Sequence, residues 1–221
     1  MTADVLDADR IARPEPVLTA LRRRLSGRYP VDPFGLDPQI ADLCVPVFEA
    51  AVRVRVSGGQ NVPATGPAVI VSNRGFGIAE PAALGVAVER ASGRRLRVVG
   101  APDLPFLGMA ARRLGAISSS EPDVASALRA GHLVGIPLAP TWLRTGAGDA
   151  PLAVARALTL AQIIPAAVRG VGRFGGLIGS WDVTFGPMVT LPDPYDPDEP
   201  LAAARFTDAM RRAVGALLES A

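Results

Sequence analysis

The stretch PAVIVSNRGFGIAEPAALGVAVERA, residues 67–91, decides how this chain folds. AVIVS at 68–72 is a continuous run rich in β-branched residues, the pattern of a strand buried on both faces of a sheet. AEPAALGVAVERA at 79–91 is apolar at helical spacing, and a helix tolerates Pro81 in its first turn. SNRGFGI interrupts both periods. Open α/β sheets gather their chemistry at this kind of junction, outside the carboxyl end of a strand. The polar residues on offer are few: Asn73, Arg74 and Glu80.

Outward from this unit the same alternation continues. VRVRV at 52–56 has period two and predicts a strand. RLRVVG, HLVGIPLAP, IIPAAVRG and WDVTFGPMV predict further strands, and AISSS a short extended piece. LPFLGMAARRLG predicts a helix closed by Gly115, and EPDVASALRAG one with Glu121 and Asp123 in its first turn. APLAVARALTLA and LAAARFTDAMRRAVGALLES complete the helices. The expected fold is a single α/β domain over 36–221, with a mixed, mostly parallel sheet of about seven strands flanked by helices. Residues 1–35 form an N-terminal helical extension. In it, Pro16–Leu25 predicts a short helix with Arg22, Arg23 and Arg24 beside Leu18, Leu21 and Leu25. It suits packing on the domain or a basic foot on an anionic membrane. VDPFGLDP is a turn-rich linker, and PQIADLCVPVFEAAVR a helix that Pro46 kinks or interrupts.

Composition removes whole classes of function. The chain has 221 residues, 49% of them hydrophobic, with a formal net charge of +2 and no lysine, so charge gives no sign of a nucleic-acid partner. Its single cysteine, Cys44, excludes an intrachain disulfide and a cysteine-based zinc site and reads as a small core residue. Its single histidine, His132, excludes multi-histidine metal sites. No cofactor and no metal are expected. No apolar run reaches about 18 residues and the N-terminus is polar, so a cytoplasmic protein is expected, with peripheral contact at the inner membrane face left open.

The order of motifs resembles the glycerolipid acyltransferases of the lysophosphatidic acid acyltransferase type. VSGGQNVPATGPAVIVSN (56–73) looks like the run into that family's Asn-His-x4-Asp block. PFLGMAARRLGAIS (105–118) resembles the second block, and GHLVGIPLAPT (131–141) falls where Phe-Pro-Glu-Gly-Thr should be. IIPAAVRG (163–170) matches the fourth, and VTFGP (183–187) the strand after it. The resemblance implies an α/β fold, a hydrophobic acyl ligand and a base–acid pair acting on a substrate hydroxyl.

The departures sit on that chemistry. Asn73 matches, but the base position is Arg74, which has no lone pair to accept a proton. The orienting aspartate position is Ala79, with Glu80 one residue later. The phosphate-binding arginine falls near Ser119 or Ser120, and the glutamate and glycine positions are Leu138 and Ala139. Thr141 and Arg144 align with the family's Thr-Arg only if a residue is inserted.

The expectation is therefore a lysophospholipid/glycerolipid acyltransferase-like protein without the usual transfer chemistry. Its pocket for an acyl or other hydrophobic ligand would be lined by Phe76, Ile78, Ser120, Pro137, Thr141, Trp142 and Arg144. An enzyme with changed chemistry on a hydrophobic substrate, or a regulatory partner of an active acyltransferase, are the alternatives. Arg74 suits an anion or an ion pair with Glu80. Glu80 suits a replacement base or the N-terminus of its helix. Ser118, Ser119 and Ser120 suit a phosphate or the N-cap of the next helix. Trp142 suits an interface anchor or a lid. His132 lies at the strand end opposite the expected site.

Overall fold

The computed structural model describes residues 31–74, 79–100, 105–138, 161–173, 178–190 and 199–220. Seven strands form one sheet: β1 (Val52–Ser57), β2 (Ala68–Asn73), β3 (Leu96–Val99), β4 (Ala116–Ile117), β5 (Leu133–Leu138), β6 (Gln162–Arg173) and β7 (Ile178–Phe185). Their order is β1-β7-β6-β2-β5-β3-β4, and only the β6–β7 contact is antiparallel. The strands from β6 to β4 thus share one direction, and their carboxyl ends share one edge. Five helices flank the sheet among the described residues: α1 (Pro38–Ala51), α2 (Ala79–Ser92), α3 (Pro105–Arg113), α4 (Glu121–Arg129) and α5 (Pro200–Glu219).

The two faces of the sheet make two apolar layers, as strand alternation requires. Ala68, Ile70, Leu133 and Ile164 point to the face covered by α2, where Ala83, Leu84 and Ala87 meet them. Val69, Val71, Val134 and Ile163 point to the other face, where Val124 and Leu128 of α4 and Phe206 and Met210 of α5 pack. Every residue of Ala68–Ser72 is buried, so β2 is the central strand its continuous apolar run implies. On β1 the alternation is visible instead: Val52 and Val54 are buried while Arg53 and Arg55 are exposed.

Three expectations are corrected. α1 continues through Pro46, so the proline does not interrupt it. The proline lacks an N–H and leaves one helical carbonyl without its usual donor, but Val45 and Phe48 hold the turns on either side against the core. Cys44 is exposed, because α1 turns Ala41, Val45 and Phe48 inward and leaves Cys44 outside that face. Residues 32–36, read as a linker, are tied to the sheet. Asp32 Oδ1 accepts from the Phe34 and Leu36 N–H groups at 2.9 and 2.8 Å, and its other oxygen pairs with Arg97, fully buried on β3.

Other buried charge braces the frame. The Arg94 guanidinium donates to the carbonyls of Pro63, Gly66 and Gly131, joining the turns that enter β2 and β5. His132 is buried before β5 with Phe34 edge-on to its ring at 5.3 Å, on the amino side of the sheet as expected. The helix predicted over 16–25, the loop TWLRTGAGD and, but for Ala161, the helix predicted over 150–161 lie outside the described residues.

Candidate functional site at the carboxyl edge of β2 and β5

β2 and β5 pair in parallel with Ser72 opposite Pro137 and Asn73 opposite Leu138. Asn73 and Leu138, which the sequence resemblance likens to the asparagine and glutamate of the acyltransferase blocks, are therefore adjacent on one edge. β6, which carries IIPAAVRG, flanks β2 on its other side. α2 begins at the same edge, so Ala79 and Glu80 also come there.

Asn73 is committed to the frame. Its Nδ2 donates to the Val168 carbonyl at 2.8 Å and to Glu80 Oε1 at 3.2 Å, and its Oδ1 accepts from the Val168 N–H at 2.7 Å. The carboxamide prolongs the β2–β6 ladder past its last paired residues, Ser72 and Ala166. A carboxamide has two N–H donors, and both are used, so Asn73 has none left to polarise a substrate carbonyl. Glu80 is 6% exposed, in the first turn of α2, where the helix dipole favours a carboxylate.

Arg74 is exposed and stands apart from this node. Among the described residues no ion pair joins it to Glu80, which corrects the pairing expected from their spacing. Glu80 turns inward with α2 to meet Asn73, while Arg74 follows the strand out into solvent. The Arg74 guanidinium offers donors to an anion and has no lone pair to accept a proton. Ala79 is fully buried and Leu138 half-buried.

Ser120 lies at this edge beyond β4, separated from β2 by β5 and β3. Its Oγ accepts from the Asp123 N–H at 3.4 Å as the N-cap of α4, and Ser118 Oγ accepts from the Ser120 N–H at 3.2 Å. Phe76, Ile78, Ala139, Thr141, Trp142 and Arg144 lie outside the described residues. Among the described residues no three of His, Cys, Asp and Glu are grouped so as to hold a metal ion. The contribution of Val168 was missed because it is made by main-chain atoms, which carry no sequence signal.

No family model matches the chain. Over 127 residues, 52% of this chain, it is 38% identical to an uncharacterized protein of Mycobacterium tuberculosis, of which the match covers 36%. An uncharacterized protein of Mycobacterium leprae is 36% identical over 127 residues, 52% of this chain and 35% of the relative. The chain thus matches about a third of the length of these relatives.

Proposed function

We propose that the chain is an acyltransferase-like domain of the lysophosphatidic acid acyltransferase type that has lost the classical transfer chemistry and binds an acyl chain or similar hydrophobic ligand at the carboxyl edge of β2 and β5. The observation that carries this reading is the register of Asn73 against Leu138. It puts the aligned first and third blocks side by side, with Arg74, Ala79 and Leu138 where the family has a base and two acids. General-base catalysis supplies about 10²–10⁴-fold, and neither Arg74 nor Leu138 supplies it. Burying an acyl methylene is worth about 0.8 kcal/mol, so an apolar replacement of the acids favours ligand binding over turnover. On this reading the protein works in the cytoplasm, with peripheral contact at the inner membrane face.

The test is twofold. Lipid extracted from the purified protein is identified by mass spectrometry, and melting is followed with added fatty acid or acyl-CoA. Ligand at a hundred times its dissociation constant is expected to stabilise the fold by about 2.7 kcal/mol. No acyl-CoA:lysophosphatidic acid acyltransferase turnover above background is expected. The absence of both co-purified lipid and any thermal shift would overturn the binding reading, and turnover abolished by Arg74→Ala would overturn the loss of chemistry. The burial of Glu80 beside Asn73 favours one second reading, an enzyme using that carboxylate on a hydrophobic substrate. Turnover lost in Glu80→Gln with ligand binding retained would select it.

A further inference from the structure

We propose that Ser72 and Arg74 together bind an oxyanionic head group, a carboxylate or a phosphate, carried by the hydrophobic ligand of the β2–β5 edge; this rests on the acyl-binding reading of that edge. Ser72 is 3% exposed on the central strand. Among the described residues no hydrogen bond reaches its side chain. The hydroxyl is not one of the fully enclosed orphan atoms, so it keeps some access from outside. The other buried polar side chains are engaged: Asp37, Glu80 and Arg94 in hydrogen bonds, Arg97 with Asp32, and His132 against Phe34. Buried polar groups are almost always hydrogen-bonded, and an exception marks a place for a ligand or a water.

The side chains around Ser72 do not answer it. In register it lies between Ala166 on β6 and Pro137 on β5, and neither side chain donates or accepts. Its side of the sheet is the one α2 covers, because Ala68 and Ile70 of the same alternation pack there. The α2 residues of that layer, Ala79 and Ala83, are fully buried and apolar.

Arg74 supplies the charge. It directly follows β2, two residues beyond Ser72, the spacing that keeps side chains on one side of an extended chain with their Cα atoms about 7 Å apart. It is exposed and makes no ion pair among the described residues. The acid nearest to it in sequence, Glu80, is held by Asn73, which is itself bonded to Val168, so that carboxylate is drawn toward β6. The β5 side of the edge ends in Pro137 and Leu138, both half-buried and apolar. A hydroxyl donor and a guanidinium fork thus stand beside apolar surface with the acid pulled away. A carboxylate or phosphate accepts from both, while its chain lies against the end of β5. A water would satisfy Ser72 and leave Arg74 without an anion, and an alcohol or ester head gives Arg74 no charge to meet.

The full chain is titrated calorimetrically with three probes of one chain length, below their micellar concentrations: decanoate, decyl phosphate and decan-1-ol. At least one anion should bind about tenfold more tightly than the alcohol, and the tighter anion identifies the head. Arg74→Ala should erase that preference and leave alcohol binding in place, and Arg74→Lys should restore part of it. Ser72→Ala should weaken the anion about fivefold. It should not lower the melting temperature of the unliganded protein, since the hydroxyl it removes has no partner there. A lower melting temperature would reveal a structural hydrogen bond and overturn the proposal. So would a preference for the anion that survives Arg74→Ala. Equal affinity for all three probes would overturn the head-group assignment and leave the acyl-binding reading standing, whereas binding of none would overturn both.

Discussion

Asn73, expected from the sequence resemblance to belong to a catalytic block, serves as a main-chain clamp in the structure. Its carboxamide satisfies the N–H and C=O of Val168 where the β2–β6 ladder ends, and it holds Glu80 as well. Asn73→Ala leaves those groups without a partner, each worth about 1–3 kcal/mol when buried. A loss of about 2–4 kcal/mol in urea unfolding is expected. Arg74→Ala is the control. Its side chain is exposed, so its unfolding midpoint should stay within about 0.5 kcal/mol of the parent. A large loss there would restore the Glu80 pairing that its geometry denies.

Between elements, packing is set by features that leave faint traces in sequence. Gly170 on β6 lies opposite Trp181 on β7, and the indole covers it so closely that an added Cβ would sit 2.3 Å from the ring. Trp181 is 8% exposed, so the ring is held by neighbours on most of its surface. Gly170→Ala is expected to cost about 1–3 kcal/mol by overpacking, read as a lower denaturation midpoint. Where α1 and α2 meet, acids and arginines are crowded. Partial burial pushes the Glu89 carboxyl up from its ordinary value, against the pull of Arg95. The ionised form is thus less favoured folded than unfolded. Stability is penalised above the raised pKa, and the penalty is relieved as pH falls through it toward the ordinary 4.5. Glu89→Gln should therefore raise the melting temperature at neutral pH, and the gain should fade as the pH is lowered to that value. A gain that grows on acidification would show the sign to be wrong.

At the scale of the molecule, the Asp32–Arg97 pair ties the segment before α1 to β3. Arg97 is fully buried, so Asp32→Ala removes the carboxylate opposite a buried charge and should cost about 3–5 kcal/mol. If residues 32–36 were a loose linker, the same change would leave the urea midpoint in place. The α/β class, the near-complete element order and the burial of β2 follow from the sequence alone, because apolar period and turn chemistry act locally. The caps do too: Ser120 precedes EPDV and closes α4 as its residue type requires. Strand order does not follow. It placed Leu138 beside Asn73 and set Ser120 beyond β3 at the far end of the edge. The roles of Asn73, Glu80, Arg97 and Cys44 were decided in the same way. Each depends on a partner far along the chain, or on which side of a helix meets the core, and the composition of a local window encodes neither.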